Sequence, residues 1–208
     1  MNIIQALNWR YAVRQFADEK LDEALVRALL TATRLSATAY GLQPYRLLVI
    51  NDIDVRKQLL PYAMSQNKVV ACSHLIVIAA QTQIDDTLID RYIQAVANTR
   101  HQSTDDFAGL ANHMKDVFAG KNEQQKKEWA HQQAYIALGT LLTSAAVMKI
   151  DACPMTGFET EGFDRVLGLN ERGLSSTVIC ALGKRHPKDR HAWLPKVRYD
   201  HMEMVIEV

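Results

Sequence analysis

Apolar residues recur at helical spacing behind Asp22, at Leu25, Leu29 and Leu30. They predict a helix over Asp22–Leu35, with Asp22 as its N-cap. Further helices are predicted over Ile3–Trp9, Val55–Ala63 and Thr87–Asn98. Short runs rich in β-branched residues predict strands over Tyr45–Ile50, Leu75–Ala80, Thr177–Leu182 and Met202–Ile206. Strands and helices alternate, with helices dominant. The pattern predicts an α/β or α+β domain built on one central sheet. No repeat, linker or low-complexity segment interrupts it, so residues 1–208 read as a single domain.

The longest helical pattern, Glu123–Ile150, begins polar and becomes apolar nearly all round from Ala134 onward. A helix apolar on every face must be covered on every face. In a chain of this size the second cover is either its own core or another subunit. Ala134, Ala137, Gly139, Ser144, Ala145 and Ala146 are small enough to allow close approach. The apolar C-terminal run has no turn after it, and a free strand there would be a sticky edge. It is expected to pair with a sheet, in this chain or a partner.

Between the second helix and the first strand lies Ser36-Ala37-Thr38-Ala39-Tyr40-Gly41. A turn needs fewer small residues than this, so something large is expected to lie against the loop. Gln43 precedes Pro44 and is expected to be extended.

Composition narrows the function without choosing it. Of the 208 residues, 48% are hydrophobic and 23% charged, with a formal net charge of +1. That balance is ordinary for a globular domain and points to no polyanionic partner such as nucleic acid. No apolar run reaches the roughly 20 residues of a membrane span. The N-terminus does not read as a secretory leader. Cys72, Cys153 and Cys180 are odd in number and sit in apolar surroundings, which predicts reduced packing residues in a cytoplasmic protein. The seven histidines are scattered with no ligand spacing, so no metal site is expected.

The candidate chemistry is cationic. Arg10 and Arg14 stand four apart; on a helix they would share a face and repel unless an anion lay between them. Lys196 and Arg198 stand two apart after Pro195, on one side of an extended segment. Lys68 immediately precedes a strand. Gly157, in Cys153-Pro-Met-Thr-Gly-Phe158, would let backbone approach a ligand closely, although a simple turn explains it equally. No Walker A or G-x-G-x-x-G sequence occurs. No nucleophile stands beside an activating base.

Taken in order, "RYAVRQF", "LSATAYGLQPYRLLVIND", "QNKVVACSHLIVIAAQ", "CPMTGF" and "LPKVR" resemble the nitroreductase family of FMN-dependent, NAD(P)H-using oxidoreductases, in its dihydropteridine reductase and oxygen-insensitive nitroreductase branch. The resemblance implies an α+β, nitroreductase-like fold with a central mixed sheet flanked by helices. It also implies an intertwined homodimer with an exchanged C-terminal strand and two interfacial FMN sites. Residue by residue, it places Arg10, Lys196 and Arg198 on the FMN phosphate, with Tyr11 and Ala12 in the ribityl and phosphate loop. Arg14, Ser65 and Lys68 fall near the flavin pyrimidine edge. Pro154, Met155, Thr156 and Gly157 lie along the ring, with a backbone N–H reaching N5. Thr38, Ala39 and Gly41 belong to a loop supplied by the second subunit. Tyr40 and Phe118 are candidate aromatic walls for the substrate. The family loop usually carries a proline and an asparagine that are absent from Ala37–Pro44. Close relatives have glutamate where Thr156 stands.

The implied reaction is a ping-pong hydride transfer from NAD(P)H to a nitroaromatic, quinone or similar small acceptor. No side-chain acid or base is obligatory in it. The alternatives are another reductive activity on the same fold, such as dehalogenation, or flavin binding without turnover.

Overall fold

The computed structural model describes residues 2–208. The helices are α1 (Ile3–Trp9), α2 (Glu23–Arg34), α3 (Ile53–Leu59), α4 (Lys68–Ala71), α5 (Asp86–Arg100), α6 (Ala108–Ala119), α7 (Glu123–Val147), α8 (Thr160–Leu167) and α9 (His201–Met204). The strands are β1 (Tyr45–Ile50), β2 (His74–Gln81), β3 (Asp151–Met155) and β4 (Leu174–Gly183), in sheet order β1-β2-β4-β3.

The caps explain where several helices start. Asp22 accepts the Ala24 N–H at 2.7 Å and opens α2 as predicted. Asn122 and Gln125 form a reciprocal capping box at the start of α7. Pro61 ends α3: the backbone tightens into a 3₁₀ turn over Leu60–Tyr62, because proline lacks the N–H an α-helix needs.

Strands β2 and β4 are central and buried on both faces, which is why they read as continuous apolar runs. Their period of two divides the core. Ile76, Ile78, Val178, Cys180 and Leu182 meet Leu29, Ala137 and Leu141 of α2 and α7. Leu75, Val77, Ile179 and Ala181 meet Leu59, Val69 and Phe163 on the other side.

Three expectations are corrected. The sheet is antiparallel at every strand pair, and among the described residues parallel pairing is confined to an isolated bridge between Ala12 and Ala152. The C-terminal run expected as a strand forms α9 over its first residues, because Asp200 caps it by accepting the Glu203 N–H at 3.2 Å. Gln43 is not extended: its φ is +45°. Its side-chain amide donates to the Arg34 carbonyl at 2.7 Å and its N–H to the Thr38 hydroxyl at 3.2 Å, and these bonds hold it there.

Helix α7 buries Gln133, Ala134, Ala137, Leu138, Leu141 and Ala145 against its own chain. Tyr135, Ile136 and Val147 stay about half exposed on its other side. Among the described residues, none supplies a full second cover for that side.

Candidate functional site

The segment after α1 is not helical. Arg10 is the C-cap of α1 with φ −71° and ψ 143°, and the chain runs extended from there, bridging Ala12 to Ala152 and Phe16 to Arg185. Arg10 and Arg14 are therefore not one helical turn apart, as their spacing suggested. They nevertheless line one cleft, of about 520 Å³, together with Trp9, Tyr11, Ala12, His191, Lys196 and Arg198.

Asp189 builds this cleft. Its buried carboxylate accepts the backbone N–H groups of Arg14 at 2.8 Å, Gln15 at 3.1 Å and His191 at 3.1 Å, and the Tyr11 hydroxyl at 3.0 Å. Burial opposes ionisation of Asp189, but these donors outweigh it and bring its pKa down to about 2. The Tyr11 hydroxyl is accordingly engaged within the protein, and burial together with Asp189 raises its pKa. Beneath it, Arg185 donates to Asp151 at 2.8 Å, and its guanidinium lies 4.2 Å from the Trp9 ring centroid and 4.7 Å from that of Tyr11.

The cations of the cleft are crowded. Burial lowers the pKa of Arg10, and Arg198 lowers it further; burial, Arg10 and Arg198 do the same to Lys196. Among the described residues, none of the three pairs with a carboxylate. The Lys196 ammonium donates to the carbonyls of Leu7, at 2.7 Å, and Arg10, at the C-terminal end of α1. The Nε of Arg10 is buried with no hydrogen-bond partner. A buried donor on a cation is costly to leave unmade. A dianionic phosphate would supply both the missing acceptor and the missing charge.

A second group of predicted residues meets beside β3. The Gln66 side chain donates to the Gly157 carbonyl at 2.7 Å, fastening the Ser65–Asn67 turn to the Thr156–Gly157 segment; Lys68 opens the short helix α4 and does not immediately precede a strand as expected, since β2 begins at His74. Met64 and Ser65 hold positive φ, +49° and +56°. The Gly157 N–H has no protein acceptor among the described residues. A Cβ at Gly157 would meet only ordinary contacts, Met64 Sδ at 3.5 Å and Gln66 Nε2 at 3.6 Å, so its own chain does not demand a glycine there. Pro154 is tolerated because β3 is an edge strand, and the Met155 side chain belongs to the core.

The third group is the loop after α2. The Ala39 N–H donates to Gln133 of α7 at 2.8 Å, and Ser36 and Thr140 share a hydrogen bond of 2.9 Å. Tyr40 holds φ +59°, and its ring meets His113 edge-on at 5.8 Å and Phe118 at 6.5 Å. Gly41 holds φ +76°, the left-handed region that favours glycine, and a Cβ there would lie 2.6 Å from the Tyr92 hydroxyl and push that side-chain tip aside. Neither this loop nor Phe118 lines the cationic cleft.

Asp189, Gln66 and Gln133 were missed from the sequence. Each acts through backbone groups distant along the chain, a role no local motif records. Among the described residues, no three His, Cys, Asp or Glu side chains gather as a metal site would need, and no helix is long and apolar enough to cross a membrane.

Comparison with known proteins gives the family. The Nitroreductase family model matches residues 7–184. A putative NAD(P)H nitroreductase of Staphylococcus haemolyticus is 30% identical over 199 residues, covering 90% of this chain and 91% of its own. The oxygen-insensitive NAD(P)H nitroreductase of Enterobacter cloacae is 28% identical and covered in full, as is this chain. Among solved structures, a putative nitroreductase of Bacillus subtilis superposes with a TM-score of 0.87 at 19% identity, over 99% of this chain and 97% of its own. A putative nitroreductase of Exiguobacterium sibiricum, solved in complex with FMN, gives 0.87 at 16% identity, over 100% and 98%. The chain belongs to the nitroreductase family, and its α+β fold is that of the family.

Proposed function

We propose that this chain is an FMN-dependent oxidoreductase that takes reducing equivalents from NAD(P)H and delivers them to a small electron acceptor such as a nitroaromatic or a quinone. The observation that carries the reading is the unpaired cation cluster of Arg10, Lys196 and Arg198, with the buried Nε of Arg10 lacking a partner. That donor set fits a phosphate monoester. When bound, FMN supplies the redox chemistry, accepting a hydride from the nicotinamide and passing reducing equivalents to the acceptor in turn.

The protein's part is binding and orientation. Arg10, Lys196 and Arg198 hold the phosphate, with Asp189 and Arg185 fixing the backbone that presents them. Lys68 and Arg14 bring positive charge to the ring's pyrimidine edge. The open N–H of Gly157 is a donor toward the ring, held in place by Gln66 through the Gly157 carbonyl. Tyr40 is the exposed aromatic candidate for the acceptor's wall; Phe118, also expected there from the sequence, is buried behind it against Trp129, with ring centroids 4.7 Å apart, and supports the wall without facing a ligand.

The working unit is a homodimer in which the Thr38–Gly41 loop completes the partner's site and the C-terminal segment crosses to the partner. The half-exposed apolar side of α7 and the exposed Met202, Val205 and Ile206 support this reading. The three buried, free thiols suit a reducing, cytoplasmic setting. Titration with FMN and with riboflavin tests the phosphate assignment: FMN should bind at least a hundred-fold more tightly. Equal affinities would remove the cation cluster from the site.

A further inference from the structure

Arg56, in the last turn of α3, is only 1% exposed, and among the described residues it pairs with no carboxylate. A fully buried arginine is rare without an anionic partner, because taking its charge out of water is costly. Its Nη1 is spent on the protein: it donates to the Val70 carbonyl at 3.1 Å and to the Cys72 carbonyl, and lies 3.4 Å from the Cys72 Sγ. Nε is buried with no hydrogen-bond partner. Nη2 makes no hydrogen bond among the described residues. Nε and Nη2 share one edge of the planar fork, and such an edge can hold a carboxylate at two points. The Cys72 thiol is no substitute for that anion. Burial pushes its pKa up more strongly than Arg56 pulls it down, so it stays protonated.

Arg56 lines a cleft of about 460 Å³, together with residues 17–20, Asn51, Ile53 and residues 70–73. None of these lines the cleft of Arg10, Lys196 and Arg198. Hydrogen bonds fix one wall: the Leu21 N–H donates to the Ser73 hydroxyl at 2.8 Å, and the Lys20 ammonium to the Ser73 carbonyl at 3.3 Å. The two carboxylates of the cleft do not serve Arg56. Glu19 pairs with Lys184, and Asp18 is exposed and forms no ion pair among the described residues. We propose that this cleft is a binding site for a small organic monocarboxylate, held at two points by the Nε and Nη2 groups of Arg56. Shape and charge select that class. A planar carboxylate matches two parallel N–H donors. The negative charges of Asp18 and Glu19 oppose a phosphate dianion more than a monoanion.

The test is titration of the FMN-loaded protein with sodium acetate, with sodium chloride at equal ionic strength as the control. Proton–nitrogen NMR reads the Nε–H of Arg56 and the backbone amides of Asn51 and residues 71–73. Acetate should shift these signals saturably, with half-saturation at about 1–10 mM, and inorganic phosphate should bind at least ten-fold more weakly. Arg56→Lys keeps the charge but loses the fork, so its acetate affinity should fall at least ten-fold. Signals unmoved by about 100 mM acetate in the wild type would overturn the site, whatever the variant does, and leave Arg56 as a clamp on the end of α4. Equal shifts with chloride would reduce the effect to screening and overturn it too. Phosphate binding as tight as acetate would overturn the ligand class. Unchanged acetate affinity in folded Arg56→Lys would take Arg56 out of the site.

Discussion

The Asp189 carboxylate accepts the Arg14 N–H at 2.8 Å across 175 positions of sequence. That bond joins the two ends of the chain that carry the cationic cleft. It helps gather Arg10, Arg14, Lys196 and Arg198 around one cleft, where the Lys196 ammonium reaches the Arg10 carbonyl.

Asp189 should make the fold acid-sensitive. Its pKa falls from an ordinary 3.8 to about 2 in the folded chain. A depressed carboxyl contributes stability that is fully present above its unfolded value and is lost as pH falls through the folded one. The Asp189→Asn variant should therefore lose about 1.5–3 kcal/mol at neutral pH, the range for hydrogen bonds to a charged group. Its stability should also decline less than that of the wild type between pH 4 and pH 2. Denaturant titrations across that window check both. Parallel pH profiles would contradict the role given to the carboxylate.

Gly157, at the candidate flavin face, and Gly162, buried in α8, should respond differently to alanine. A Cβ at Gly162 would lie 2.2 Å from the Tyr62 ring and 2.8 Å from Tyr62 Cβ, an overlap the ring cannot swing away from. Gly162→Ala should cost about 1–3 kcal/mol of stability by overpacking. Gly157→Ala should leave the melting temperature unchanged and weaken FMN binding. Thermal unfolding without FMN, followed by FMN titration, distinguishes them; a melting temperature lowered equally in both would contradict the difference.

Removing one phosphate cation should move affinity and stability in different directions. Arg198→Ala loses a charge-assisted bond to the phosphate, about 1.5–3 kcal/mol, or roughly ten- to a hundred-fold in affinity. Arg198 also depresses the pKa of Arg10 and Lys196 by repulsion, so the flavin-free variant should be at least as stable as the wild type. FMN titration and melting of the FMN-free protein check the pair. Unchanged FMN affinity would take Arg198 out of the site.

Much of this was legible in the sequence. Strands β1, β2 and β4 announce themselves as β-branched runs, and Asp22 marks the start of α2. Strand β3 was hidden because Cys153-Pro154 reads as a turn, and only its place at the sheet edge excuses the proline. Helices α6 and α8 were hidden by Gly109 and Gly162 within short apolar patterns. The cations were legible because each sits in a local motif. Asp189, which fixes the backbone of Arg14, and Gln66 and Gln133, which fasten the Gly157 and Ala39 segments, contact residues far away along the chain. The same holds for Gln43, whose φ is set by Arg34 and Thr38 rather than by the proline that follows it.

Lys68 should tune the flavin rather than hold it. Reduction places negative charge at the pyrimidine edge, and a cation fixed there favours the reduced form. Lys68→Met should lower the reduction potential by some tens of millivolts, where about 30 mV corresponds to 1.4 kcal/mol for a two-electron couple. FMN should remain bound through Arg10, Lys196 and Arg198. Spectroelectrochemical titration checks this, and equal potentials would mean that Lys68 does not face the ring.

The central claim is that the cleft of Arg10, Lys196 and Arg198 holds an FMN that NAD(P)H can reduce. The most direct measurement is the visible absorption spectrum of the purified protein after FMN loading and removal of free flavin, recorded anaerobically before and after NADH or NADPH. One flavin per chain should be retained, bleached by the nicotinamide and recovered when a quinone is added. A protein that retains no flavin, or one whose flavin neither nicotinamide bleaches, would contradict it.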